Sequence, residues 1–357
     1  MSGKVRVGIL CGGMSSEHEI SCISASGVLA AIDRNRFEPV LIGITKSGKW
    51  VLPPDEAVLT MTDRHMPEIS SEWPAVNTDV AGFSGNGQAL NLDVVFPLLH
   101  GPYGEDGTVQ GLLEMAAMKY VGSGVLASAV AMDKSFAKSI FTANGLEVAD
   151  GIVIQEREWE EISHSKVLKA AEYLGLPLFV KPARSGSSRG TYKVKRFADL
   201  ESAVSKALEF DTKVLVERAI IGREIECAVL QSQGEVLASP VGEIVILGSH
   251  EFYDFEAKYL DNSTRVDFPT DLPRGVSDKI RAAAITAFNV LGCEGLARVD
   301  FFYSKSDGII INEINTMPGF TATSVYPKLW GQSGLTYANL LTKLINSALD
   351  RPLGVTR

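Results

Sequence analysis

The chain has 357 residues, 45% of them hydrophobic and 22% charged, a globular composition with room for more than one core, which excludes wholesale disorder. Lysine and arginine total 34 against 43 aspartates and glutamates, so the formal charge is −9 and neither nucleic acid nor anionic membrane is an expected partner. No apolar run reaches the length of a membrane span, and Cys11, Cys22, Cys227 and Cys293 are scattered without C-x-x-C spacing, so a cytoplasmic protein with reduced core thiols is expected.

In chain order, residues 5–10 form a short β-rich run, 12–16 a loop, 20–32 a segment with helical spacing and 39–44 a second strand. That alternation predicts a parallel sheet with covering helices. Residues 53–87 lose periodicity and read as an irregular insertion; 93–99 is another buried-type strand, followed by the loop 100–107 and a helix near 108–118. A helix over 133–144 opens a second part, with strands at 178–180, 191–194 and 214–217, the loop 181–190, and a helix over 200–208. Strands at 225–231 and 296–303, a loop at 248–265 and helices near 275–291 and 337–349 make up the third. The expected fold is α/β with α+β lobes, divided at 1–122, 123–216 and 217–357, without internal repeats.

The strongest local signal is Arg298-Val-Asp300-Phe-Phe, a turn at 304–308, then Glu313-Ile-Asn315. Strand side chains alternate, so Arg298 and Asp300 share a face, as do Glu313 and Asn315. If the hairpin is symmetric about its turn, Asp300 pairs with Glu313 and Arg298 with Asn315, which gathers hard oxygens beside one cation and suits magnesium bridging phosphates. A solvated hairpin face is the bland alternative; the apolar run at 309–311 argues instead for a half-buried site that needs cations.

A second signal is Lys181-Pro-Ala-Arg-Ser-Gly-Ser-Ser-Arg-Gly190, where glycines let backbone amides turn to a ligand and Lys181 adds charge. It lacks the G-x-x-x-x-G-K-[ST] spacing of a Walker loop, and Gly/Ser-rich turns are often only structural. A third is Gly12-Gly-Met-Ser-Ser-Glu17-His18-Glu-Ile-Ser21, whose spacing does not fit a dinucleotide fingerprint. Glu17 there is either a partner for a substrate ammonium or an ordinary first-turn helix acid. His18 and His100 lie in predicted loops at sheet edges, facing a cleft or water, and neither has metal-ligand spacing. Residues 251–259 mix aromatics with charge, as a lid or a plain surface loop would.

Together these motifs resemble the D-alanine–D-alanine ligase family of the ATP-grasp superfamily. The matching runs are 11–21, 100–107, Gly122-Ser-Gly124, Met132-Asp-Lys134, 181–190, 253–259, 298–300 and 313–324, in family order over nearly the whole chain, with 53–91 the main unmatched stretch. The resemblance implies a three-domain ATP-grasp fold and synthesis of D-alanyl-D-alanine through D-alanyl phosphate, for peptidoglycan precursors. By the same resemblance Lys134 and Lys181 contact ATP phosphates beneath the loop carrying Ser185, Gly186 and Ser188, with Glu217 on adenine and Glu224 on ribose. Asp300, Glu313 and Asn315 would hold two magnesium ions, with manganese a substitute and a monovalent cation such as potassium an optional addition. Glu17 would meet the first D-alanine's ammonium, linked through Ser187 to Tyr259. Arg298 and the Gly319 amide would form the oxyanion site, Lys258 and Ser324 would grip the second carboxylate, and His100 would lie near the first. A homodimer is implied by family alone.

Arg189 and Ala219 depart from the usual family residues, the first being small or aliphatic and the second bulkier; neither departure touches the metal or oxyanion set. Relatives that make the D-lactate ester resemble this chain but change the Tyr259 region, so the intact Glu256-Ala-Lys258-Tyr259 run favours the dipeptide over the ester; D-lactate or D-serine as second substrate is the closest rival reading. A catalytically silent ATP-binding regulator would require loss of Arg298 or of a metal ligand, and none is lost.

Overall fold

The structure is a computed structural model that describes residues 3–54, 57, 66–79, 82–161, 164–247, 264–268 and 271–352. At the amino-terminal end, β1 (Val5–Gly12) leads through α1 (His18–Ala31) to β2 (Phe37–Ile44), and the helix crossover makes the two strands parallel. With β3 (Trp50–Val51) and β7 (Val94–Pro97) they form a four-stranded sheet in the order β3-β2-β1-β7. β1 is buried from Val7 to Gly12, as an interior strand covered on both faces must be.

The insertion is not irregular throughout. β4 (Val76–Asp79), β5 (Gly82–Gly85) and β6 (Gln88–Ala89) form a three-stranded antiparallel sheet, and Val76, Phe83 and Leu90 are buried against Leu10, Ile42 and Ile44. These strands are too short to show a period. The legible signal was Asn86-Gly87, whose positive φ values of 52° and 76° make the tight hairpin turn that such a pair favours. Then come α2 (Thr108–Met115), α3 (Val125–Met132) and α4 (Lys134–Ala143).

A second sheet of order β10-β9-β11-β8 is built from β8 (Gly151–Gln155), β9 (Leu178–Pro182), β10 (Tyr192–Val194) and β11 (Lys213–Arg218). α5 (Glu156–Glu161), α6 (His164–Leu174) and α7 (Leu200–Leu208) accompany it, and Ala171, Ala203 and Val204 join Val180, Val214 and Val216 in its core. Lys181, expected in the loop, lies inside β9 opposite Leu215, so the backbone ladder fixes where its side chain starts.

The third sheet has five strands in the order β14-β13-β12-β15-β16. They are β12 (Arg223–Ser232), β13 (Glu235–Ile246), β14 (Thr264–Asp267), β15 (Leu296–Ser304) and β16 (Gly308–Asn315). Both of its faces are covered. Ile225, Cys227 and Val229 pack with α3, α4 and α8 (Val276–Val290). Ala228 and Leu230 face the other way, toward α9 (Val325–Gln332), α10 (Tyr337–Asp350) and the first sheet. Residues 125–143 thus precede the middle sheet in the chain, yet their buried apolar side chains belong to the core of the third. All four cysteines are buried and unbridged.

Candidate active site

A cavity of roughly 400 Å³ opens between the second and third sheets. Lys134, Lys181, Ser185, Ser187 and Ser188 line one part of it, and Glu217, Glu224, Asp300 and Glu313 line the rest. Phe179, Ala219, Ile221 and Phe302 supply apolar wall. The walls come from separate elements, which is why spacing alone could not assemble them.

Lys134 is placed by its own helix start. Asp133 caps α4 by accepting from the amides of Ser135 (3.1 Å) and Phe136 (3.3 Å), so Lys134 is the first helical residue. Its Nζ donates to the Ser185 carbonyl at 2.8 Å and pairs with Glu313 at 3.1 Å. Lys181 pairs with Glu217 Oε2 at 2.7 Å and donates to Asn312 Oδ1 at 3.2 Å. Lys138 pairs with the other oxygen of Glu217. Burial by itself would raise the Glu217 pKa; the two lysines outweigh it and hold the carboxyl down at about 2.

The β15–β16 hairpin has the expected pairing, Asp300 opposite Glu313 and Arg298 opposite Asn315. Ser304 faces Gly308 at the turn, so an even ladder would have set Asp300 against Asn312; a bulge beside Asp300 shifts the register by one. Arg298 Nε and Nη2 each reach an Asp300 oxygen at 2.7 Å, and Nε also pairs with Glu226 at 3.0 Å. Asn315 Nδ2 donates to Asp300 Oδ2 at 3.1 Å. Half-buried carboxylates here are neutralised by Arg298 and Lys134, which is the environment expected from the sequence. Among the described residues no group of three or more His, Cys, Asp or Glu side chains is gathered for a metal; the candidate set is two carboxylates plus the Asn315 amide. As hard oxygens on one hairpin face they fit magnesium.

The Gly/Ser loop reaches across to the first sheet. Ser187 Oγ donates to Glu17 Oε1, and Glu17 is buried at the start of α1 without capping it. A Cβ on Gly186 would lie 2.7 Å from Glu17 Oε2, so a larger residue there requires the Glu17 carboxylate or the loop to shift. Ser187 and Ser188 have φ of 51° and 57°, a left-handed pair that L residues enter at a cost of about 1–2 kcal/mol each. The bond to Glu17 helps to offset that cost.

His100 lies in the loop after β7 as expected, whereas His18 is the first residue of α1, and neither faces water: both are buried. His100 Nδ1 lies 3.0 Å from the Met317 carbonyl and Nε2 lies 3.0 Å from Ser24 Oγ, so Nδ1–H donates and Nε2 accepts. Burial lowers its pKa, which keeps the ring neutral. His18 holds the Gly13 carbonyl at 2.7 Å and accepts from the Ile69 amide at 3.1 Å. Gly319 sits beside Ser324, where an added Cβ would be 3.3 Å from the hydroxyl oxygen. Ser324 precedes α9, and its Oγ accepts from the Thr321 amide at 3.0 Å. Lys258 and Tyr259 lie outside the described residues.

Sequence reasoning missed four polar residues of this site. Glu105, in the 100–107 loop, accepts from the amides of Gly101 (2.6 Å) and Met317 (3.2 Å) and ties that loop to the Gly319 segment. Burial, aided by the charge of Glu17, pushes its pKa up to about 8. Glu226 backs Arg298 from the adjacent strand, and Asn312 is the bulged residue that meets Lys181. Lys138 follows Lys134 at i+4, one helix face, which is the signal that could have found it.

Comparison with known proteins agrees with this arrangement. Residues 6–123 match the family described as D-ala D-ala ligase N-terminus, and residues 140–346 match D-ala D-ala ligase C-terminus. The D-alanine--D-alanine ligase of Paenarthrobacter aurescens is 46% identical over 372 aligned positions, covering 99% of this chain and 98% of that one. The enzyme of the same name from Mycobacterium avium is 47% identical over 374 positions, covering 99% of each. Among solved structures, the VanG D-Ala:D-Ser ligase from Enterococcus faecalis has a TM-score of 0.84 at 36% identity, covering 97% of this chain and 100% of that one. The D-alanine-D-alanine ligase from Coxiella burnetii has a TM-score of 0.83 at 35% identity, covering 98% and 96% respectively. Two family halves in order, near-complete coverage by relatives and this fold leave one conclusion: the chain belongs to the D-alanine–D-alanine ligase family, with the α/β architecture of ATP-grasp enzymes.

Proposed function

We propose that the protein joins two D-alanines at the expense of ATP, through D-alanyl phosphate, and supplies the dipeptide for peptidoglycan. A carboxylate is a poor electrophile, so the first D-alanine must be activated before an amine can attack it. Transfer of the γ-phosphoryl group needs positioning and charge neutralisation more than a protein nucleophile. Lys134 and Lys181 would contact the phosphates beneath Ser185, Gly186 and Ser188. Glu217 would accept from the adenine amino group and Glu224 from the ribose hydroxyls. Asp300, Glu313 and Asn315 would hold the magnesium ions, two by family resemblance; magnesium, when bound, supplies further neutralisation of phosphate charge. Manganese in its place and a monovalent cation such as potassium belong to the same reading.

Glu17 would receive the ammonium of the first D-alanine, with Ser187 already on its carboxylate and Tyr259 next in line. The second amine then attacks the acyl carbon, phosphate leaves, and the transient negative oxygen meets Arg298 and the Gly319 amide. Ser324 at the start of α9 and Lys258 would take the second carboxylate. His100 has both ring nitrogens engaged within the protein, so its part is to hold the Met317 carbonyl beside the first substrate. The lid formed by the Ser187 loop would exclude water, which would otherwise hydrolyse the intermediate. The division into 1–122, 123–216 and 217–357 is part of the proposal, with its second boundary falling inside β11, as are a homodimer and a cytoplasmic site of action. No helix among the described residues is long and apolar enough to cross a membrane.

The observation that carries this reading is the cavity, where Lys134, Lys181, the Ser185–Ser188 loop, Glu217, Asp300 and Glu313 meet. Its direct test is positional isotope exchange. In ATP labelled with ¹⁸O at the β,γ-bridge, D-alanine-dependent scrambling to the β-nonbridging position is expected; ATP turnover without scrambling, under conditions where the second amine is limiting, would contradict an acyl phosphate. A second reading, D-serine as the second substrate, has one support: the likeness to the D-Ala:D-Ser ligase of Enterococcus faecalis.

A further inference from the structure

Lys138 is a buried lysine for which the reaction above has no use. It projects from α4 onto Glu217 Oε1, while Lys181 holds Oε2 at 2.7 Å. The Glu217 backbone is fixed in β11, between Phe179 and Gly151, and a Cβ on Gly151 would lie 2.9 Å from Glu217 Cγ. The carboxylate therefore sits in a slot cut to its shape, with one lysine on each oxygen.

The two lysines differ in what else they face. Lys181 lines the nucleotide cavity and also bonds Asn312. Lys138 lines a separate hollow of roughly 370 Å³ of mixed polar and apolar lining, with Ser139, Thr142, Asp150, Leu146 and Val148, and Glu217 is common to both walls. A bound triphosphate would draw Lys181 toward its own charge and free Oε2 toward the base. Lys138 would then remain as the counter-ion that keeps Glu217 ionised and aimed.

An ionised carboxylate is an acceptor only. It welcomes the 6-amino group of adenine and opposes the 6-carbonyl oxygen of hypoxanthine or guanine. A buried ion pair is weak evidence for stability, because desolvation can exceed the attraction, whereas removing one partner leaves the other charge buried and uncompensated. Resting on the assignment of Glu217 to adenine, we propose that Lys138 is a positioning residue that sets the base specificity of the nucleotide site, selecting 6-amino over 6-oxo purine triphosphates by holding Glu217 as an acceptor. Lys138 touches neither base nor phosphate in this reading; it acts through Glu217.

The test is the ratio of kcat/KM for ATP to kcat/KM for ITP, read from D-alanine-dependent nucleoside diphosphate release in the wild type, K138M, K138R and E217Q. Because both terms scale with the amount of active enzyme, partial misfolding leaves the ratio untouched. K138M is expected to raise KM for ATP and lower its kcat/KM about tenfold or more, with KM for D-alanine unchanged and the ATP:ITP ratio reduced. K138R, which keeps the charge, is expected to restore most of the ratio, and K138Q replaces K138M where the latter does not fold. A collapsed ratio in E217Q with a wild-type ratio in K138M and K138Q would overturn the role of Lys138 and leave Glu217 on adenine. An unchanged ratio in E217Q would overturn the adenine assignment itself, and the inference with it.

Discussion

Arg298 lies between two acids, Asp300 on its own strand and Glu226 on the neighbouring one, and removing it does two things at once. It takes a donor from the proposed oxyanion site, at a cost of about a hundred-fold or more in kcat. It also leaves buried carboxylates without their cation, a loss of about 3–5 kcal/mol in folding stability. R298A should therefore retain nucleotide binding by calorimetry on whatever folds, melt at lower temperature and turn over at a small fraction of the wild-type rate; full residual activity would sink the assigned role. R298K should recover more stability than activity, since a point charge neutralises the acids but lacks the planar fork. Glu105 makes a prediction about pH. Its folded pKa is raised to about 8, against about 4.3 in an unfolded chain. Between those values the folded state keeps a proton that the unfolded state has released, so this group's contribution to stability falls as pH rises through the window. In E105Q that slope is absent. Melting temperatures from pH 5 to pH 8 should move in the variant's favour relative to wild type as pH rises, and a gap that stays flat would contradict a protonated Glu105.

The Gly/Ser loop and the β15–β16 hairpin show what an element adds to its residues. G186A puts a methyl group into the 2.7 Å approach to Glu17 Oε2, so the Glu17 carboxylate or the loop must shift, and either movement disturbs the Ser187–Glu17 bond. The expected result is a near-native melt with kcat/KM for D-alanine down about tenfold or more; unchanged kinetics would mean that the loop's reach to Glu17 does not matter. In the hairpin, alternation made the shared face of Arg298 and Asp300 legible, and the apolar flanks made the need for cations legible too. The bulge was not legible, because its only local sign is one additional residue, Asn312, between Ile311 and Glu313. Glu226 escaped for a different reason: it meets Arg298 only through β12–β15 pairing, and nothing near Glu226 in the chain announces that partner. The small sheet of the insertion shows the reverse case, where Asn86-Gly87 carried a turn signal that short strands without period concealed.

At the scale of the molecule, the first and third sheets share a core and the middle sheet keeps its own. Phe320 is buried where they meet, with ring centroids 5.4 Å from Phe96, 5.7 Å from Tyr326 and 5.8 Å from Tyr337. F320A should cost about 3–5 kcal/mol. By hydrogen exchange, protection should fall together in β1 and β12 and far less in β9; loss confined to one sheet would contradict the shared core. This arrangement leaves the middle sheet, which carries Lys181 and Glu217, free of that core while its loop reaches Glu17. The most direct measurement is identification of the product formed by purified protein with ATP, magnesium and D-alanine, alone and with equimolar D-serine or D-lactate. D-alanyl-D-alanine with one ADP and one phosphate per bond, also in the mixtures, is the expected result. A dominant mixed product would contradict the assigned second substrate, and no D-alanine-dependent ADP release from protein that binds ATP would contradict the substrate site.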